Sequence, residues 1–179
     1  SDLAPLDQQA DMLLELLPEA QNVGILYCSA EANSVYQADV VKAALEEKGV
    51  TVTVYTFADS NDVATVTQTA CAENDALYIP TDNTAASCTE AINNVAEPAG
   101  VPIVAGEEGI CKGCGIATLS IDYYELGKTT GAMAAKILTG EANVSEMPIE
   151  YYQNPVKKYD VARCEALGIT VPADYVAIG

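Results

Sequence analysis

Short apolar runs that alternate with stretches of helical periodicity constrain this chain more than any other feature. The runs lie at 23–28, 51–57, 76–79, 102–105 and 115–121; helical stretches at 33–48, 61–72 and 83–97 separate the first four, and another at 123–138 follows the last. A strand that passes through a helix to the next strand of its sheet is a βαβ unit, and such units need a parallel sheet with helices on both faces. The alternation predicts an α/β fold: a three-layer αβα parallel sheet in the order 2-1-3-4-5. An amphipathic helix over 3–17 precedes the first strand, with Leu6, Met12, Leu13, Leu16 and Leu17 at helical spacing. Ser1 or Asp2 is its expected cap and Pro18 its stop.

In that strand order the direction of winding reverses between the first and third strands, and open α/β sheets bind ligands beyond the carboxyl ends of their strands at such a point. Loop one, CSAEANS at 28–34, brings Ser29, Asn33 and Ser34 to the start of a helix, suited to a ligand carboxylate or hydroxyl. Loop two follows Pro80 with Thr81, Asp82, Asn83 and Thr84. Here Asn83 and Thr84 can cap a helix, and the Asp82 carboxylate can meet a ligand ammonium group. Loop three sets Glu107 and Glu108 between Gly106 and Gly109, whose lack of a side chain allows close backbone approach to a ligand. Plain helix capping competes for Asn33, Ser34 and Asp82, and plain solvation competes for the adjacent acids. Asp122 is the expected N-cap of the helix over 123–138, while Tyr123, beside Tyr124, offers a flat ring with a hydroxyl.

Charge and composition remove other functions. The 179 residues carry 8 Lys and Arg against 26 Asp and Glu, a net charge of −18 with no basic cluster, so nucleic acid and anionic membrane surfaces are repelled. With no histidine the chain lacks the usual general base, the Ser/Cys–His nucleophile pair and the commonest metal ligand. Loop one has no dinucleotide glycine fingerprint. Tyr27 and Cys28 stand where a receiver domain needs its Mg²⁺-binding acids, so no cofactor and no metal are expected. Most of the six cysteines sit singly in apolar segments and read as small buried hydrophobes rather than a disulfide framework. Cys111 and Cys114 have CxxC spacing, but there is no second pair and the path leads through glycines into a strand. Coincidence in a turn is preferred to a thiol-redox or zinc motif. No apolar run approaches the roughly 18 residues of a transmembrane helix. Beyond Gly140 the pattern weakens to a short strand over 148–152, a turn at Asn154-Pro155 and a small helix over 159–167, with no period in 169–179.

The segments SDLAP, VGILYCSAEANS, YIPTDNTAAS, IVAGEEG, GIATLSIDYYELGKTTGAMAAKIL and EALGITVP, in this order, resemble the ABC-transporter substrate-binding protein family, in particular its tryptophan- and tyrosine-type members. The resemblance spans nearly the whole chain. It implies a type I periplasmic-binding fold of two lobes that captures a small solute, often an aromatic amino acid, and delivers it to an ABC permease without chemistry. It also implies an extracytoplasmic location, as a periplasmic protein or a membrane-anchored lipoprotein. Residues 1–118 then form the C-terminal lobe, 119–148 a crossover strand and helix that complete the N-terminal lobe, and 149–179 the return. Roughly 130 to 160 residues with a lipoprotein signal would lie upstream. Carried over residue by residue, Ser29, Asn33, Ser34, Asp82, Asn83, Thr84, Glu107, Glu108 and Asp122 are the ligand-binding candidates, with Thr81 and Tyr123 beside them. Cys111 and Cys114 depart from the small or apolar residues expected in relatives.

The rival from another class is a small flavodoxin-like enzyme using FMN or the Cys111/Cys114 pair; a stand-alone sensor domain is the third reading. A single lobe supplies one wall of a cleft, so this chain alone is expected to bind its solute weakly or not at all. The helix over 123–138 keeps an apolar face with Leu126, Met133, Ile137 and Leu138. It is expected either to dock on its own lobe or to pair with a second copy in a homodimer through residues 120–148.

Overall fold

Val23, Ile25 and Tyr27 point to one side of their strand and Leu26 and Cys28 to the other, and each set lies in a different hydrophobic cluster. A strand covered on both faces reads as a continuous apolar run, as this one does. A computed structural model of the chain describes residues 1–178. Its elements are α1 (Leu6–Leu16), β1 (Asn22–Cys28), α2 (Ala32–Glu47), β2 (Thr51–Phe57), α3 (Val63–Glu73), β3 (Ala76–Ile79), α4 (Asn83–Ser87) and α5 (Thr89–Ala99). They continue with β4 (Ile103–Ala105), α6 (Glu108–Cys114), β5 (Ala117–Ser120), α7 (Tyr123–Leu138), β6 (Val156–Tyr159), α8 (Val161–Ala166) and β7 (Val176–Ala177).

The strands form one seven-stranded sheet in the order β2-β1-β3-β4-β5-β6-β7. The expected 2-1-3-4-5 core is parallel throughout. β6 then runs antiparallel to β5, and β7 parallel to β6. α1 and α2 fill one side through Leu13, Leu16, Val41 and Leu45. On the other side α3, α5 and α6 contribute Val63, Ile92 and Ile110. A buried polar contact threads the first side: Gln9, fully buried, accepts from the Tyr78 hydroxyl (2.5 Å) and donates to the carbonyls of Gly106 and Leu119 (both 3.1 Å).

Several local expectations change. The helix over 83–97 is two helices that break at Cys88, which ends α4 and starts α5. The glycine-rich stretch after β4 is α6 rather than a turn, because Glu107 caps it and Ile110, Cys111 and Cys114 are buried beneath it; packing overrides the low helix propensity of Gly109 and Gly113. No strand forms over 148–152. The last strands are β6, whose VKKY sequence hides its pattern behind two lysines, and the short β7. α1 starts from Pro5 without a side-chain cap, and Ser1 instead uses its hydroxyl to accept from Leu3.

The chain leaves the sheet after Ser120, which still pairs with Val156. None of the residues of α7 is buried, and Leu138 is 86% exposed. Leu126, Met133 and Ile137 face a small groove of about 240 Å³ whose other wall is Val144, Met147 and Ile149. Docking of α7 onto its own sheet, one of the two expectations, is therefore not what the fold does.

Candidate functional site

The carboxyl ends of β1, β3, β4 and β5 bring the three loops and the start of α7 to one edge of the sheet. Loops one and two are tied together at successive residues. Thr81 donates its N–H to Gln37 Oε1 (3.1 Å), and its carbonyl accepts from Gln37 Nε2 (3.1 Å) and Asn33 Nδ2 (3.0 Å). Asp82, only 1% exposed, accepts from the Cys28 N–H (2.9 Å), the Ser34 hydroxyl (2.7 Å) and the Ala85 N–H (2.7 Å). It is the N-cap of α4, the capping role weighed for it against a ligand ammonium group and also expected of Asn83 and Thr84, and it is buried beneath the loop.

Asn83 and Thr84 are bound from the opposite loop. One oxygen of Glu31 accepts from Asn83 N (2.9 Å) and Asn83 Nδ2 (3.0 Å), the other from Thr84 N and Thr84 Oγ1 (both 2.8 Å). Burial works to raise the Glu31 carboxyl, but these donors outweigh it and pull it down to about 2. Asn33 and Ser34 do not cap α2, whose N-cap is Glu31 without a side-chain bond; they brace loop two instead. Ser29, exposed, leans its hydroxyl toward the Phe57 carbonyl at 3.3 Å.

Loop three reaches loop two through backbone. A Cβ on Gly106 would lie 2.5 Å from Thr81 N and 2.7 Å from the Pro80 carbonyl carbon, so glycine is required for loop–loop packing rather than for approach to a ligand. Glu107 turns inward to accept from the N–H groups of Gly109 and Ile110. Glu108 pairs with Lys158 (2.5 Å) and Lys112 (3.1 Å). The Lys158 bond leads in holding its carboxyl below the usual range, burial opposes, and Lys112 adds to the lowering. Asp122 accepts from Tyr124 N (2.9 Å) and Glu125 N (3.1 Å) and caps α7 as expected. Glu107, Glu108, Asp122 and Tyr123 line a groove of about 330 Å³ with Lys158. The Tyr123 hydroxyl is pushed up by burial and by the negative charges of Asp2 and Glu107.

Apart from Ser29, bonded to Phe57, the sequence candidates thus fall into two groups on one edge: Asn33, Ser34 and Thr81 to Thr84 in the first, Glu107, Glu108, Asp122 and Tyr123 in the second. The Gly106 carbonyl, 3.4 Å from Thr81 Oγ1, lies between them. Reading residues alone missed Glu31 and Gln37. Glu31 stands inside the CSAEANS segment, and the signal for it was the uncapped pair of N–H groups after Asp82, which calls for an acid on the facing loop. Cys111 and Cys114 sit in α6 beneath the second group. Burial pushes both thiols up, Cys114 to about 12, so neither is poised as a nucleophile.

An edge lined by amide, hydroxyl and internally engaged carboxylate groups can hold a small polar molecule. The model of the family described as ABC transporter substrate binding protein matches residues 1–177. The chain belongs to this family. A tyrosine-binding protein of Clostridioides difficile (strain R20291) is 30% identical over 149 residues, 83% of this chain and 43% of that protein. The structure of the ABC domain in complex with L-Trp from Streptococcus pneumonia superposes with a TM-score of 0.88 at 29% identity, covering 94% of this chain and 57% of that one. A conserved domain protein from Vibrio cholerae superposes with a TM-score of 0.91, also at 29% identity, over 99% of this chain and 61% of that one. The chain therefore spans about half the length of the relatives it matches. The sheet is that of a type I periplasmic-binding lobe, and the family is one of solute binders rather than an enzyme class. The flavodoxin-like enzyme reading finds no support: the matches are to binding proteins, and the thiols it needs are buried and protonated. Among the described residues no helix is long and apolar enough to cross a membrane.

Proposed function

We propose that this chain is the C-terminal lobe of a two-lobed, extracytoplasmic solute-binding protein that closes on an aromatic amino acid and delivers it to an ABC permease. The observation that carries the reading is the superposition on the L-Trp complex along 94% of this chain, with little more than half of that chain matched in return. Ser29, Asn33, Thr81, Asn83 and Thr84 form the polar wall of the cleft, supported from below by Ser34 and Asp82. Tyr123 offers a ring face to the aromatic side chain. Glu107 and Asp122 give the same edge a negative potential that favours a ligand ammonium group, while the charge of Glu108 is met by Lys158 and Lys112.

Residues 119–148 belong to the second lobe in this reading, and 149–179 return to complete the first. The unburied α7 supports this, since a helix with an apolar stripe has lost a partner. In the intact protein the anchor is a lipid or the protein is free in the periplasm; in the isolated chain, residues 120–148 are available for exchange into a homodimer. Full-length protein purified under native conditions and examined by mass spectrometry, followed by titration calorimetry with L-tyrosine and L-tryptophan, tests the function. Release or binding of either amino acid is the expected result, with much weaker binding by residues 1–179 alone. A full-length protein that binds neither overturns the aromatic assignment.

A further inference from the structure

We propose that Glu31 is a positioning residue of the solute site, holding Asn83 and Thr84 of the cleft wall in the orientation that a ligand meets. The proposal rests on the function proposed above. Glu31 is the outermost of several links between the two loops that flank the point of reversal in the sheet, with one oxygen accepting two hydrogen bonds from Asn83 and the other two from Thr84. Those bonds fix side chain and backbone together: Asn83 cannot swing its amide, nor Thr84 its hydroxyl, without releasing a charged acceptor.

Position distinguishes this carboxylate from its neighbour. Asp82 is buried and joins β1, α2 and α4 from below, so its loss would leave buried donors unpaired. Glu31 works at the rim. Without it α4 keeps its Asp82 cap on Ala85 N, and the N–H of exposed Asn83 can turn to water. The fold survives the loss of Glu31, giving up only the stability that its four bonds contribute, while a ligand that must find Asn83 and Thr84 already oriented loses affinity as well, because ordering them on binding would subtract from it.

Full-length wild type, Glu31→Ala and Glu31→Gln are compared by calorimetry with L-tyrosine and L-tryptophan, by urea unfolding without ligand, and by amide exchange over 81–86. Both variants are expected to bind about tenfold or more weakly, to exchange faster at Asn83 and Thr84, and to unfold in one cooperative step at a urea midpoint that is lowered at neutral pH and converges on wild type as pH falls toward 2. In an Asn83→Ala/Thr84→Ala background, Glu31→Ala should weaken binding little further. Unchanged affinity, with or without faster exchange, overturns the positioning role. So does exchange that stays at the wild-type rate, or a weakening fully additive with the background, which would mean that Glu31 acts on the ligand directly. Wild type that binds neither amino acid overturns the proposed function and this role with it, whatever the exchange shows.

Discussion

α1 and α7 are both amphipathic helices with a leucine- and methionine-bearing stripe, and their fates are opposite. Among the 11 residues of α1, Leu6, Gln9, Ala10, Met12, Leu13 and Leu16 are buried; among the 16 of α7 none is. α7 is helical for local reasons: Asp122 caps it, Lys128 bonds Glu125, and Gly140, with φ of 78°, closes its end in the left-handed conformation that glycine adopts without strain. α1 has no side-chain cap and is held by packing against the sheet and α2. An apolar stripe states that a helix has a partner, and only the tertiary arrangement states whether that partner is in the same chain.

The widest gap is expected between the stripes of the two regions. Leu13→Ala should lose about 3–5 kcal/mol, and Leu138→Ala about 0.5 kcal/mol or less in the isolated chain. A large Leu138 effect in residues 1–179 would show that α7 is covered there after all, as an exchanged dimer would cover it. Next come the caps. Asp82→Ala leaves three neutral donors around a buried site without their acceptor and should cost about 3 kcal/mol of global stability, whereas Asp122→Ala should cost about 1 kcal/mol, seen as faster amide exchange at the start of α7. Equal losses by urea unfolding would erase the distinction drawn between the regions.

A smaller effect separates the rim from the core by pH. The folded Glu31 carboxyl lies near 2 against an ordinary 4.5, so the unfolded chain takes up its proton first. Its contribution is present above about pH 4.5 and is lost as pH falls toward 2. Urea midpoints measured across this window should decline less steeply in Glu31→Gln than in wild type. An unaltered slope would show that the bonds to Asn83 and Thr84 are not holding the carboxylate. The smallest perturbation is chemical: brief alkylation of native protein should label the partly exposed Cys71 and Cys88 before the buried Cys111, Cys114 and Cys164. Early labelling of the α6 pair would reopen the thiol reading.

The strands at 51–57 and 76–79 were legible to the residue because their apolar and β-branched runs are bounded by Gly49, Asn74 and Pro80. The cap at Asp122 was legible for the same reason, since a cap and its helix are neighbours in sequence. α6 was not, because its glycines argue against a helix until Ile110, Cys111 and Cys114 have a core to enter. β6 was hidden because Lys157 bonds Glu15 and Asp174 while Lys158 bonds Glu108, partners far away in sequence that let a charged strand sit half-buried. The candidate site shows the same limit. Its loops were identifiable, but which oxygen bonds which donor was not: Asp82 went under the surface, Glu31 onto it, and Glu108 to two lysines.

By itself the sequence determined the alternation of strands and helices, the order of the parallel core, the sheet edge to which the candidate loops come, and the family to which these segments belong. All of these rest on patterns within a few residues of one another or on the chain's right-handed crossovers, which leave little choice of topology. Tertiary structure alone decided the antiparallel β6, the burial of the α6 thiols, the division of acids between cap, brace and ion pair, and the isolation of α7. Each of those depends on groups brought together across the fold, where burial and competition among several available donors, rather than local propensity, select the partner.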